Sequence, residues 1–183
     1  MDKKYILEIG CGNGEFLEQY YYKNSQRENL YLIGIEIAKK FYLKAVKRTE
    51  KFRRNSEIYL GDARKEIKNF KNQNIKFSEI HINFPDPWFK LKHHKRILCT
   101  SSFLAALSEI LENNGFISIV TDVWELCFRI INYGQRVKSL KNIYLPEGFK
   151  LNLEFPKTNF YQKAIANNSD IFFIKFNKNE SLL

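Results

Sequence analysis

The stretch Asn83-Phe84-Pro85-Asp86-Pro87-Trp88 sets one carboxylate between two prolines, which fix the backbone on both sides and hold Asp86 in a set direction. Trp88 adds a flat face suited to stacking on a base. Lys90, Lys92, His93, His94, Lys95 and Arg96 follow at once. Alone, such a run is a solvated cationic face; beside a base-sized pocket it becomes an element for phosphate contact. A second chemistry-bearing stretch lies near the start, where Gly10-Cys11-Gly12-Asn13-Gly14 allows a sharp turn and close approach of backbone to a ligand, with Glu8 just ahead of it. The spacing is GxGxG. A dinucleotide fingerprint needs a glycine at position 15, and Glu15 stands there, its charge opposed to a pyrophosphate at a helix N-terminus. A nucleoside-type cofactor without phosphate is the expectation.

The elements that must position these residues alternate. Tyr5–Ile9 is a short apolar run ending in the glycine turn, after which Phe16, Leu17, Tyr20 and Tyr21 recur at helical spacing. Leu30–Ile35, closed by Glu36, is a second strand, followed by a helix through Phe41, Ala45, Val46 and Phe52 whose other faces are rich in Lys and Arg. A strand at Ile58–Leu60, a helix near Ala63–Phe70 and a strand at Phe77–Phe84 continue the pattern. Phe103, Leu104, Leu107 and Leu111 then mark a helix stopped by Gly115, and Phe116–Val120 is a buried strand reaching Thr121-Asp122. Trp124–Val137 reads as helix; Phe149–Phe155 and Ile171–Phe176 read as two strands joined by a polar, Asn-rich connection. Strands that alternate with helices require a parallel sheet with helices on its faces, so the expected fold class is α/β, Rossmann-like, mostly parallel with an antiparallel C-terminal edge pair. One domain over residues 1–183 is expected.

Ligands of open α/β sheets bind at the carboxyl ends of the strands. Acids stand at five such ends in turn: Glu8, Glu36, Asp62, Asp86 and Asp122. Glu36 lies about two dozen residues beyond the glycine turn, the place for a carboxylate that accepts from both ribose hydroxyls. Asp62 is suited to an adenine amino group, and Glu8 to a cationic one. S-adenosylmethionine offers all of these donors. With Glu8-Ile9-Gly10-Cys11-Gly12-Asn13-Gly14, Gly34-Ile35-Glu36 and Gly61-Asp62-Ala63, the first third of the chain resembles the class I S-adenosylmethionine-dependent methyltransferases.

Over nearly its whole length, Pro85-Asp86-Pro87-Trp88, Lys90, His93-His94-Lys95-Arg96, Thr121-Asp122 and Thr158-Asn159-Phe160 make the chain resemble the bacterial tRNA (guanine-N7)-methyltransferases. The resemblance implies transfer of a methyl group from S-adenosylmethionine to N7 of a guanosine in the variable loop of tRNA. It implies cofactor binding by Glu8, Gly10, Gly12, Gly14, Glu36, Asp62 and Asp86, with Asp86 also catalytic. Lys90, Asp122, Thr158, Asn159, Phe160 and Tyr161 would handle the guanosine, and Lys92, His93, His94, Lys95 and Arg96 the tRNA backbone. The chain departs from the family pattern at Tyr161, where an acid is usual, and at Ile97, where a second arginine is usual. It also starts almost at the first strand, so part of the family's tRNA footprint is expected to be absent.

Composition bounds the rest. A formal charge of +10 and pI near 9.4 suit a polyanionic partner, although a bias toward Lys, Asn, Ile, Phe and Tyr gives the same balance without one. Cys11, Cys99 and Cys127 form no CxxC pair, and adjacent His93 and His94 do not have metal-ligand spacing, so neither a disulfide framework nor a metal is expected. No apolar stretch is long enough for a bilayer, and a cytoplasmic protein, monomer or homodimer, is the expectation. Two other readings are a tRNA-binding protein of this fold that has lost catalysis, and an amino-methyltransferase for another nucleobase, which Asn83-Phe84-Pro85 faintly suggests.

Overall fold

A computed structural model describes residues 3–27, 29–88 and 97–178. In chain order the elements are β1 (Lys4–Ile9), α1 (Glu15–Lys23), β2 (Leu30–Glu36), α2 (Lys39–Thr49), a 3-10 segment (Glu50–Asn55), β3 (Ser56–Leu60), α3 (Ala63–Asn72) and β4 (Phe77–Asn83). There follow α4 (Ser101–Glu109), β5 (Leu111–Thr121), α5 (Trp124–Gln135), β6 (Leu140–Asn142), β7 (Lys150–Leu151), α6 (Asn159–Ala166) and β8 (Phe172–Lys178).

The strands form one sheet in the order β3-β2-β1-β4-β5-β8-β6, with β7 paired off the end of β8. From β3 to β5 every pairing is parallel, and β8 runs antiparallel to both β5 and β6. Ile6, Leu7, Leu32, Ile33, Ile80 and Ile82 are all buried, as strands covered on both faces demand. Phe16, Leu17 and Ala45 of α1 and α2 pack with Ile6 and Leu32 on one face; Ile67, Leu104 and Ile130 of α3, α4 and α5 pack with Leu7, Ile33 and Ile80 on the other. Strand order reverses between β1 and β4, so their carboxyl ends open the crevice in which such sheets bind ligands.

Three expectations give way here. Leu111 does not continue α4: the helix ends at Glu109, and Leu111 opens β5 opposite Phe77, before a bulge moves the register to Phe116 opposite Glu79. Gly115 belongs to that bulge rather than to a helix stop, and a Cβ there would lie 2.9 Å from the Phe77 carbonyl oxygen. The run from Phe149 to Phe155 supplies only the two-residue β7. Asn152, with φ of 49°, ends it, its side chain accepting from the Ile171 amide at 2.9 Å. The edge partner of β8 is instead β6, and the Asn-rich connection contains α6. That helix buries only Ala164, so no apolar stripe announces it.

Gly134 of α5 is buried against Phe176 of β8, and a Cβ at this position would overlap the Phe176 ring. On an exposed helix Gly→Ala gains about 1 kcal/mol. Here overpacking of about 1–3 kcal/mol opposes it. Gly134→Ala is expected to lower the urea midpoint with an unchanged m-value; a raised midpoint would show that Phe176 yields at no cost.

Candidate active site

The glycine turn is held from below by β2. Gly10 and Cys11 donate their amides to the Ile35 carbonyl at 2.8 and 3.0 Å, and Gly10, Gly12 and Gly14 take φ of 72°, 55° and 79°. Any other residue would be strained in this left-handed region. Glu36 clamps the turn from the side: one carboxylate oxygen accepts from Gly12 N–H at 2.9 Å and the other from Ala38 N–H at 2.8 Å. Each oxygen keeps a further lone pair, so the buried Glu36 can accept from a ligand's paired hydroxyls without releasing the turn. Arg48 of α2 completes the hold, donating from Nε to the Asn13 carbonyl at 3.0 Å.

Glu8 lies one residue from the end of β1, only 3% exposed, between Gly34 of β2 and His81 of β4 in the parallel register. Its Oε1 accepts from Asn83 Nδ2 at 3.0 Å. Glu8 Oε2 and Asn83 Oδ1 are buried with no hydrogen-bond partner among the described residues. Burial pushes the Glu8 carboxyl up to about 8, the charge of Glu36 adding to the rise and the Asn83 hydrogen bond opposing it. Once Glu8 is ionised, its Oε2 and Asn83 Oδ1 are two acceptors at the strand switch point that lack a donor among the described residues, and a cationic amino group suits them best. Asp62 follows β3, caps α3 by accepting from Arg64 N–H at 2.9 Å, and remains partly exposed; Gly61 N–H ties this corner to the Glu36 carbonyl at 3.0 Å. Hydrogen bonds thus join the β3, β2, β1 and β4 ends into one rim, and its acceptors fit the ribose, adenine and amino groups of S-adenosylmethionine.

Beyond β4 the chain is strained. Phe84 and Trp88 both have positive φ, 49° and 42°, so two bulky aromatics in the left-handed region bracket Pro85-Asp86-Pro87 and leave Asp86 exposed. Phe84 is held by its amide donating to the Val120 carbonyl at 2.7 Å, by Phe155, and by Phe160, whose ring lies nearly parallel at 6.2 Å. Asp122 is exposed just past β5, where buried Thr121 accepts from Val123 N–H at 3.2 Å.

The C-terminal segment docks on α1. Lys157 and Asn159 donate their amides to Gln19 Oε1 at 2.9 Å and to Glu15 Oε2 at 2.7 Å. Thr158 is buried and caps α6 by accepting from Tyr161 N–H at 3.3 Å. Phe160 is 61% exposed at the rim, whereas the Tyr161 ring packs on Phe155 at 5.5 Å beside Val120 and Phe173. The structure therefore brings Glu8, the glycine turn, Glu36 and Asp62 together, places Asp86 and Asp122 past adjacent strands, and seats Thr158–Phe160 against α1. Lys90, Lys92, His93, His94, Lys95 and Arg96 lie outside the described residues. Sequence reasoning missed Asn83, Glu15, Gln19 and Arg48. Asn83 carried a cue, an amide closing an apolar strand; the other three act through folded geometry alone.

A family model described as "Putative methyltransferase" matches residues 2–174. The chain is 31% identical over 175 residues to the tRNA (guanine-N(7)-)-methyltransferase of Buchnera aphidicola subsp. Baizongia pistaciae, a match covering 93% of this chain and 70% of the relative. With the enzymes so named of Mycoplasmopsis pulmonis and Prochlorococcus marinus subsp. pastoris, identity is 31% over 182 residues (96% of this chain, 85% of the relative) and 40% over 124 residues (66% and 57%). Among solved structures, a precorrin-6y C5,15-methyltransferase from Geobacter metallireducens superposes with TM-score 0.64 at 11% identity, covering 98% of this chain and 81% of that one. The plantazolicin methyltransferase BamL, crystallised with SAH, gives 0.59 at 14% identity, covering 98% and 79%. At these identities the likeness is one of fold.

The raised Glu8 carboxyl has a signed consequence. In the folded chain it keeps its proton to about pH 8, whereas unfolded it releases the proton near the ordinary 4.5. This contribution to stability is complete below that lower value and is lost as pH rises through the upper one. The chain without cofactor is expected to lose stability from pH 5 to 8 in thermal melts, and Glu8→Gln to lack that component. A cationic amino group favours the ionised form, so S-adenosylmethionine is expected to release about one proton on binding at pH 7 in titration calorimetry across buffers of differing ionisation heat. Proton release unchanged in Glu8→Gln would remove Glu8 from the cofactor site.

Proposed function

Because the chain belongs to the tRNA (guanine-N7)-methyltransferase family, we propose that it methylates N7 of a guanosine in tRNA with S-adenosylmethionine as donor, and that the target lies in the variable loop. The observation that carries this reading is the pair of buried, unpartnered acceptors on Glu8 and Asn83 beside a glycine turn clamped by Glu36.

When bound, S-adenosylmethionine supplies an electrophilic methyl group on a sulfonium. Glu8 and Asn83 would hold its amino group, Glu36 its ribose hydroxyls and Asp62 its adenine, with Gly10, Gly12 and Gly14 leaving room for close approach. N7 of guanine presents an in-plane lone pair and no proton, so the reaction needs no general base and positioning dominates. As positive charge develops on the imidazole part of the purine, Asp86 would stabilise it. Asp122 would accept from N1–H and the exocyclic amino group, an arrangement that adenine cannot match. The Thr158–Tyr161 segment and Lys90 would hold the guanosine, with exposed Phe160 offering a stacking face, and Lys92, His93, His94, Lys95 and Arg96 would contact phosphates. In an RNA helix N7 lies in a deep, narrow groove, which is why a splayed loop nucleotide suits this site.

Labelled methyl transfer to unmodified tRNA, followed by nucleoside analysis, is expected to yield 7-methylguanosine. Retention of tRNA without incorporation would instead identify a binding protein, and a different methylated base would identify an amino-methyltransferase. Asp86→Ala is expected to cut turnover about 100-fold or more, the scale seen when one group opposite a developing charge is removed. Its tRNA affinity should change little. Turnover equal to the unaltered chain would take Asp86 out of the mechanism.

A further inference from the structure

Helix α2 is built against its own electrostatics. Between Lys39 and Thr49 it has Lys39, Lys40, Lys44, Lys47 and Arg48 and no acid, so two lysines occupy the first turn, at the positive end of the helix dipole. Ala38 supplies no side-chain cap. Arg48 is accounted for by the glycine turn and by its ion pairs with Glu15 and Glu18, at 3.6 and 2.7 Å. Lys40, Lys44 and Lys47 are exposed, and among the described residues none of them has an ion-pair partner. Spaced i, i+4 and i+7, they form one stripe with about 6 and then about 4.5 Å of rise between neighbours. A general abundance of lysine does not explain this: α3 is also basic, yet it contains Glu66, pairs Lys71 with Glu109 at 2.8 Å, and has Arg64 within 3.9 Å of Asp62.

The stripe begins at the candidate site. Ala38, immediately ahead of α2, donates to the same Glu36 carboxylate that clamps the glycine turn. At the far end the 3-10 segment adds exposed Arg53 and Arg54. Phe41 and Leu43 are exposed among the lysines, 44% and 56%, with the Lys44 ammonium 5.9 Å from the Phe41 ring centre.

We propose that Lys40, Lys44 and Lys47, continued by Arg53 and Arg54, form a second RNA-backbone contact surface that takes the part of the tRNA lying beyond the target guanosine. The inference rests on the tRNA reading above. It adds a surface on the β2 side of the rim. Like charges in a row disfavour the free helix, and a row of phosphates removes that cost by releasing counterions. Exposed Phe41 and Leu43 beside lysines would also suit an anionic membrane, but the tRNA of the functional reading supplies a regular row of phosphates to match a regular row of unpaired ammonium groups.

The test uses the full chain with Lys40→Gln, Lys44→Gln and Lys47→Gln combined, and the three Lys→Arg changes as control. Binding of unmodified tRNA is measured across salt concentrations, with S-adenosylmethionine affinity alongside and phosphatidylserine vesicles as a separate arm. The glutamine variant is expected to bind tRNA about tenfold or more weakly at low salt. Its slope of log affinity against log salt should be shallower by about 2 to 3, at roughly 0.7–0.9 per lost phosphate contact. The loss should appear in KM for tRNA, cofactor affinity should hold, and the arginine variant should bind as the unaltered chain does. Unchanged affinity and slope, while the unaltered chain methylates tRNA, would overturn this surface and leave the functional reading standing. Loss of vesicle binding with tRNA binding intact would reassign the stripe to a membrane. An unaltered chain with no affinity for tRNA would overturn both.

Discussion

A carboxylate buried at the seam between β1 and β4, with one oxygen unpaired, is a standing cost to the fold. Water would satisfy Glu8 if the seam opened, but the seam is closed by parallel pairing of β1 with β4 and lies where the glycine turn leaves β1. The fold meets part of the cost with Asn83 and a shifted proton, and leaves the remainder for a ligand to relieve. The neighbouring rim has the same character at lower cost. Glu36 is buried but fully engaged by backbone amides, and Asp62 doubles as a helix cap. Two of the three acids therefore hold the structure in place, and Glu8 is the one left with an unpartnered oxygen among the described residues.

Much of this was legible in the sequence. Tyr5–Leu7 and Leu30–Ile35 have no charged residue because helices cover both faces, and that pattern implies a parallel sheet. An acid within a residue or two of the end of such a run falls on the carboxyl rim by topology, which is why Glu8, Glu36 and Asp62 stand out in the sequence. What escaped was set by contacts between distant parts of the chain. Leu111 keeps helical spacing with Leu107 while belonging to β5, since a buried leucine satisfies either period for one further residue. The short α6 owes its place to Thr158 at its cap and to α1 beneath it, and eight residues with one buried alanine give no periodic signal. Asn83 pairs with a residue 75 positions away, a relation that periodicity cannot express.

The aromatic residues divide the same way. Phe70, Phe77 and Phe176 are buried where apolar spacing puts them. Phe84 and Trp88 sit in a backbone region that disfavours their side chains, and the Val120 carbonyl, Phe155 and Phe160 hold Phe84 there. The other non-glycine residues with positive φ are all asparagines, which tolerate that region, so the two aromatics of the loop that carries Asp86 stand apart among the described residues.

Glu15 ties these parts together. One of its oxygens accepts from the Asn13 side chain within the glycine turn, and the other accepts from the Asn159 amide at the head of α6. A single side chain therefore shares its lone pairs between the glycine turn and the segment that opens α6. A shift of Asn13 bears on the bond available to Asn159, and thermodynamic reciprocity makes that influence mutual. Where the dinucleotide fingerprint would have a third glycine, this chain has a carboxylate that joins the glycine turn to the head of α6.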